Sequence, residues 1–160
     1  MQRINLIAVG KLKEPFYLDA VQEYAKRLQR HCKLTCIELN EQRLGDAPSG
    51  AEIRHALAAE AAAIREKLPK SGAVIALCIE GRELTSPAFS ELLSSYALKG
   101  QSDVSFLIGG SFGLDEGLKK EADFCLSLSP MTFPHHLARV MLLEQLYRAY
   151  EIAAGSKYHK

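Results

Sequence analysis

Residues 104–139 read VSFLIGGSFGLDEGLKKEADFCLSLSPMTFPHHLAR. The run from Val104 to Ile108 has strand length and breaks at once into a turn carrying Gly109, Gly110 and Gly113. Glycine there lets backbone approach a bound molecule and turn its N–H groups outward. FCLSLS, from Phe124, reads as a second strand, and it leaves through Pro130-Met131-Thr132-Phe133-Pro134. The two prolines fix φ and push the residues before them toward extended geometry, so Met131, Thr132 and Phe133 keep backbone groups free of helix or ladder bonds. Two adjacent loops with preset backbones suit a small, flat, polar-edged ligand such as an adenine nucleoside. A β-carbon at Gly110 is expected to stand where that turn meets the ligand.

Outward from this stretch, the chain alternates strand and helix signals. Ile4–Val9 is apolar and ends at Gly10, and Lys11 and Lys13 occupy the turn that follows. Pro15 opens a helix whose apolar face is Tyr17, Leu18, Val21, Tyr24, Ala25 and Leu28. Leu34–Leu39 is the next strand. Ser49 with Glu52 is a capping-box signature for a second helix. AVIALCI, from Ala73, is unbroken apolar sequence, as expected of a central strand covered on both faces, and Glu80-Gly81-Arg82 reads as its exit turn. Ser86, with Pro87 behind it, is expected to cap a third helix. The last helix, from His135 to about Ala154, would be about 30 Å long and is apolar nearly all round. One face can cover the sheet, and the other calls for a two-fold partner.

This order predicts an α/β fold: a mostly parallel sheet of five to six strands with helices on both faces, all of residues 1–160 forming a single domain. Ligands in such sheets bind beyond the carboxyl ends of the strands. The Lys11 turn, the Glu80 turn, the glycine turn and the proline turn all leave strand ends, so all four should meet on one edge.

Composition narrows the chemistry. With 48% hydrophobic and 24% charged residues the chain supports an ordinary globular core, and 20 basic against 19 acidic residues leave no global field to draw in nucleic acid. RNA contact would have to come from a local basic surface. Cys32, Cys36, Cys78 and Cys125 lack CxxC spacing and fit free thiols in a reducing cytoplasm. No signal peptide or membrane span is legible. His135 and His136 have no supporting ligands at metal-site spacing, so no metal is expected. The dinucleotide fingerprint fails, because the glycines do not follow the first strand and no acidic residue ends the next one.

Taken together, INLIAVGKLK, LCIEG, LIGGSFGL, LSPMTFPHHLARV, EQLYRAYEI and the terminal YHK resemble, in order and over the whole length, the small RlmH-type enzymes of the SPOUT class of methyltransferases. The resemblance implies a C-terminal trefoil knot that holds S-adenosylmethionine, and a homodimer. It also implies methyl transfer to N3 of a pseudouridine in 23S rRNA of the assembled 70S ribosome. Carried over by position, the family's cofactor contacts fall on Leu77, Gly109, Leu128, Ser129, Pro130, Met131, Thr132 and Phe133, with backbone contact alone for Pro130 and no role for His136.

A uracil-type N3 is nucleophilic only once its proton has left, so a cationic donor near the ring oxygens or a base near the nitrogen is expected. Arg139, one turn after His135, is expected to orient substrate and stabilise charge, unless it pairs with a strand-end carboxylate such as Glu80. His135 is expected to shape the site. Tyr158 and His159 are expected to fold over the target base, reaching the partner's pocket if the last helices pair across a two-fold axis. Two other readings stay open: a non-catalytic ribosome-binding factor on the same fold, against which the intact proline turn counts, and a nicotinamide or flavin enzyme on a doubly wound sheet, against which the missing acidic residue counts.

Overall fold

The computed structural model describes residues 1–160. Five strands, β1 (Gln2–Val9), β2 (Cys32–Leu39), β3 (Ala73–Glu83), β4 (Asp103–Ile108) and β5 (Phe124–Ser127), form one sheet in the order β2-β1-β4-β3-β5. Every neighbouring pair is parallel. Five helices connect them: α1 (Pro15–Leu28), α2 (Gly50–Lys67), α3 (Ser86–Leu98), α4 (Glu116–Glu121) and α5 (His135–Ala153).

The period-2 alternation of strand side chains sorts the core into two layers. Ile4, Leu6 and Ala8 of β1, with Val104, Phe106 and Ile108 of β4, face the layer completed by Leu28, Phe89, Leu93, Leu142, Leu143 and Leu146, so α1, α3 and α5 cover that side. Ile7, Val9 and Leu107 point the other way, onto Ala61 and Ile64 of α2 and Leu118 of α4. Each fully buried Leu, Ile or Phe contributes roughly 1.5–3 kcal/mol of transfer free energy, which is why the continuous apolar strands β1 and β4 occupy the middle of the sheet.

The Ser49–Glu52 capping box forms in both directions. Four details differ from the sequence reading. Glu80-Gly81-Arg82 continues β3, yet Leu77 and Arg82 both oppose Leu126 of β5, so the intervening residues bulge from the ladder toward the sheet's carboxyl edge. The cap of α3 is Thr85, whose hydroxyl accepts from the Ala88 N–H, and Ser86 is already helical. α4 was not foreseen, because its six residues are too few to show a helical period, although Asp115 caps it by accepting from the Leu118 N–H. β2 begins at Cys32, two residues before the apolar run suggested. No helix is long and apolar enough to cross a membrane.

Candidate active site

A cavity of about 720 Å³ opens beyond the carboxyl ends of β3, β4 and β5. That volume suits a ligand of nucleoside size or somewhat larger. Its walls are the β3 bulge, the glycine turn, the proline turn and the first turn of α5, so three of the four strand-end turns converge as their placement in sequence predicted. The fourth, around Lys11, lies alongside, and His135 lines both this cavity and the neighbouring one that holds Lys11.

Leu77, Gly109, Gly110, Leu128, Ser129, Met131, Thr132, Phe133 and His135 all line the cavity. Pro130 stands in the same loop without lining it. The loop is held by its own side chains: Ser127 Oγ donates to the Ser129 carbonyl at 3.0 Å, and Ser129 Oγ accepts from the Met131 N–H at 3.0 Å. Met131, 70% exposed, and Phe112, 48% exposed, line the cavity and leave apolar surface free. Such surfaces can cover the face of a flat ring.

The glycine turn is closed by a bond from the Gly113 N–H to the Gly110 carbonyl at 3.1 Å. A β-carbon at Gly109 would be driven into the Gly113 backbone. At Gly110 it would meet the Glu41 carboxylate at 2.5 Å rather than the ligand space, so the expectation for that residue is corrected. Glu41, from the loop after β2, also accepts from the Ser111 N–H at 2.7 Å, and this bond ties that loop to the glycine turn.

Only Glu80 and Lys119 bring full charges to the cavity wall, and neither was singled out as a site residue from sequence. Lys119 Nζ lies 2.5 Å from Glu80 and 2.8 Å from Glu116. Burial opposes its ammonium form, but the two carboxylates more than offset that and raise its pKa. Recognising α4 would have been the signal, since it carries Lys119 to the wall. Cys78 is also part of the wall, and burial first, with Cys125 beside it, pushes its thiol up to about 12. It is a protonated wall group rather than a nucleophile.

Arg139 does not face the cavity. Its side chain is 4% exposed, Nη1 lies 2.5 Å from Glu38 Oε2, and Nη2 donates to the Gly10 carbonyl at 3.1 Å. Glu38 Oε2 also accepts from the Leu12 N–H at 2.8 Å. The expected substrate-orienting role is therefore corrected to a brace on the β1 turn. The carboxylate it meets is Glu38 at the end of β2 and not Glu80, which Lys119 occupies. Burial alone would raise the Glu38 pKa, but the Leu12 N–H and the Arg139 guanidinium more than reverse this and lower it.

Tyr158 and His159 do not lie over the cavity of their own chain. The tail folds back on α5: Tyr158 Oη donates to Glu144 at 3.1 Å, its ring meets Tyr147 at a centroid distance of 4.8 Å, and the Arg148 guanidinium covers it at 4.7 Å. His159 Nδ1 lies 3.3 Å from Arg148 Nη1. Beside this tail, Tyr24, Leu84, Phe89, Val140 and Met141 line a mainly apolar groove of about 480 Å³, with Glu144 among its lining residues.

His135 is half-buried, and its pKa is lowered mainly by burial, with the adjacent His136 adding to the effect. A neutral imidazole therefore stands at the junction of the two cavities near neutral pH. No group of three or more His, Cys, Asp or Glu side chains is arranged to hold a metal ion.

A sequence-family model described as "Predicted SPOUT methyltransferase" matches residues 2–159. The chain is 48% identical over 158 residues to the Ribosomal RNA large subunit methyltransferase H of Streptococcus equi subsp. zooepidemicus (strain MGCS10565), covering 99% of each sequence. It is 46% identical over 158 residues to the protein of the same name from Streptococcus pyogenes serotype M5 (strain Manfredo), again covering 99% of each. Among solved structures, a probable methylase family protein from Haemophilus influenzae Rd KW20 shares the fold with a TM-score of 0.52 at 16% identity, over 99% of this chain and 70% of that one.

Proposed function

The chain belongs to the SPOUT methyltransferase family, and from that premise we propose that it methylates N3 of a pseudouridine in 23S rRNA of the assembled ribosome, using S-adenosylmethionine. It would act in the cytoplasm as a homodimer, each chain forming a single knotted catalytic domain. The observation that carries this reading is the cavity at the carboxyl ends of β3, β4 and β5, bounded by the loops to which the sequence resemblance assigns cofactor contact.

The residues present fit the cofactor. Leu77, Leu126 and Leu128 offer an apolar wall, Met131 and Phe112 offer faces for a ring at the mouth, and backbone groups of 109–113 and 129–133 remain for its polar edges. The two full charges on the wall, Glu80 and Lys119, pair with each other at 2.5 Å and leave the wall without net charge. When bound, S-adenosylmethionine supplies an electrophilic methyl group on a sulfonium. The protein then has to place the acceptor nitrogen in line, keep water out and handle one proton. His135 is the group positioned for the proton. Its neutral imidazole can take the N3 proton as the base, and its place between the two cavities lets it meet a ring entering from the polar side.

Mass spectrometry of rRNA from ribosomes incubated with the protein and isotopically labelled S-adenosylmethionine tests this directly. One methyl on a single pseudouridine of 23S rRNA is expected, and little on naked 23S rRNA, because a net charge of +1 offers weak attraction to a bare strand. A ribosome-binding factor without activity would transfer nothing in either case. If His135 is the base, the rate rises with pH through its depressed pKa and falls on the acid side. His135→Gln should lower kcat roughly 100-fold and remove that acid limb, while a flat profile in the parent enzyme would exclude the role.

The homodimer is supported by the apolar groove between α1, α3 and α5 and by the tail held at its edge through Glu144. If each tail serves the partner's cavity, mixing a Gly109→Trp chain with a chain lacking residues 157–160, each inactive alone, should restore roughly a quarter of parental activity. No recovery after demonstrated subunit exchange would rule out action across the interface.

A further inference from the structure

A second cavity, of about 620 Å³, adjoins the first and has no hydrophobic residue in its lining. Lys11 and Lys13 enter it from the turn after β1, Arg43 from the loop after β2, and His135 and His136 from the start of α5. None of Lys11, Lys13 and Arg43 forms an ion pair with a carboxylate. The cavity also holds two carboxylates: Glu41 accepts from the Ser111 N–H, and Glu14 lies 3.6 Å from His136 Nδ1, its Oε2 buried without a hydrogen-bond partner. Counted over its lysines, arginine and glutamates, the polar recess beside the candidate transfer cavity carries three cations against two carboxylates, an excess of one positive charge.

The turn that carries the lysines is braced. Leu12, 9% exposed, packs inward between the exposed Lys11 and Lys13. Its N–H is held by Glu38, Glu38 by Arg139, and Arg139 in turn holds the Gly10 carbonyl. A long lysine on a mobile loop loses much of its gain to ordering; here the backbone is already in place, so less is lost on binding. Glu41 connects the other wall to the glycine turn, so both cavities share a rigid border.

We propose that this recess is a phosphodiester subsite for the RNA substrate, in which Lys11, Lys13 and Arg43 grip the backbone next to the target nucleotide while its base enters the first cavity past His135. The inference rests on the RNA-methyltransferase reading above and adds to it the surface along which the strand runs. The lining offers two lysines, an arginine and polar groups and no aliphatic, Phe, Tyr or Trp side chain, which suits a phosphate better than a base.

The test uses the full-length protein with Lys11→Gln, Lys13→Gln and Arg43→Gln combined, beside a control triple Lys67→Gln, Lys70→Gln, Lys99→Gln at the opposite edge of the sheet. Binding to large ribosomal subunits and to polyuridylate is measured over a salt series with S-adenosylhomocysteine present, so that no methyl transfer is needed for the readout, and S-adenosylmethionine affinity is followed by calorimetry. The recess triple should weaken RNA binding roughly tenfold and flatten the slope of log K against log salt by about two. It should leave cofactor affinity within twofold, and the control triple should change neither quantity. Unchanged affinity and slope in the recess triple, or an equal loss in the control, would overturn the proposal, as would a parent protein that binds neither RNA. A parent that binds RNA with this charge dependence but transfers no methyl group would leave the recess assigned and refute only the catalytic reading.

Discussion

Gly109→Ala is expected to lower cofactor affinity more than 100-fold and to lower the melting temperature as well. The added β-carbon would come within 2.9 Å of the Gly113 α-carbon and closer still to its carbonyl group. Backbone cannot rotate aside as a side chain can, so the turn has to open, breaking the bond from the Gly113 N–H to the Gly110 carbonyl that closes it. Overpacking typically costs about 1–3 kcal/mol where side chains can adjust, and a backbone obstacle falls at or above the top of that range. Gly110→Ala is the informative comparison. The nearest atoms to its β-carbon belong to the flexible Glu41 side chain, the closest at 2.5 Å. Swinging Glu41 away forfeits the bond to the Ser111 N–H, a loss of about 1 kcal/mol, and cofactor affinity should stay within tenfold of the parent. Calorimetric titration with S-adenosylmethionine, with thermal melts of both variants, checks the pair. Equal and large losses at the two positions would contradict the separate roles given to them here.

Glu38→Ala is expected to destabilise the fold by about 3 kcal/mol, the lower end of the range for removing one partner of a buried pair, because Glu38 itself is 36% exposed while Arg139 is 4% exposed. The guanidinium would keep only the Gly10 carbonyl, and its Nε already lacks a partner. Arg139→Met on the Glu38→Ala background should recover part of the loss, since no unpaired charge is then left inside. The sign of the pH dependence follows from the lowered Glu38 pKa. Its contribution is fully present above the ordinary glutamate range and is lost as pH falls through the depressed folded value. Denaturant melts at neutral and acid pH should therefore show the parent losing this increment on acidification, and Glu38→Ala losing nothing from that source. Because the pair braces the Lys11–Lys13 turn, the folded variant should also bind ribosomes less tightly while holding its cofactor. A loss confined to stability would separate the brace from the recess.

What could be read from the chain without its fold was local or periodic. Unbroken apolar runs at β1, β3 and β4 mark strands buried on both faces, and the alternation of strands with helices commits the chain to a parallel sheet. Parallel connections carry strand-end loops to one edge, which is why the glycine turn at Gly109 and Gly110 and the proline turn at Pro130–Pro134 could be placed together from the sequence, whereas Leu77, Leu128 and Ser129 came from the family resemblance. Ser49 and Glu52 sit within one helical turn, so their capping box was legible as well.

The choice of partner among charged side chains was not. Arg139 could have met Glu80, Glu38 or substrate, and the order β2-β1-β4-β3-β5 decides it by setting β2 beside β1 and carrying Glu80 toward α4 and Lys119. The strength of an ion pair depends on separation and burial, and separations across 101 residues of chain are fixed only when the whole sheet is assembled. The same holds for the polar recess. Lys11, Lys13 and Arg43 are scattered basic residues in sequence and become one surface because two neighbouring strands end at the same level as the start of α5.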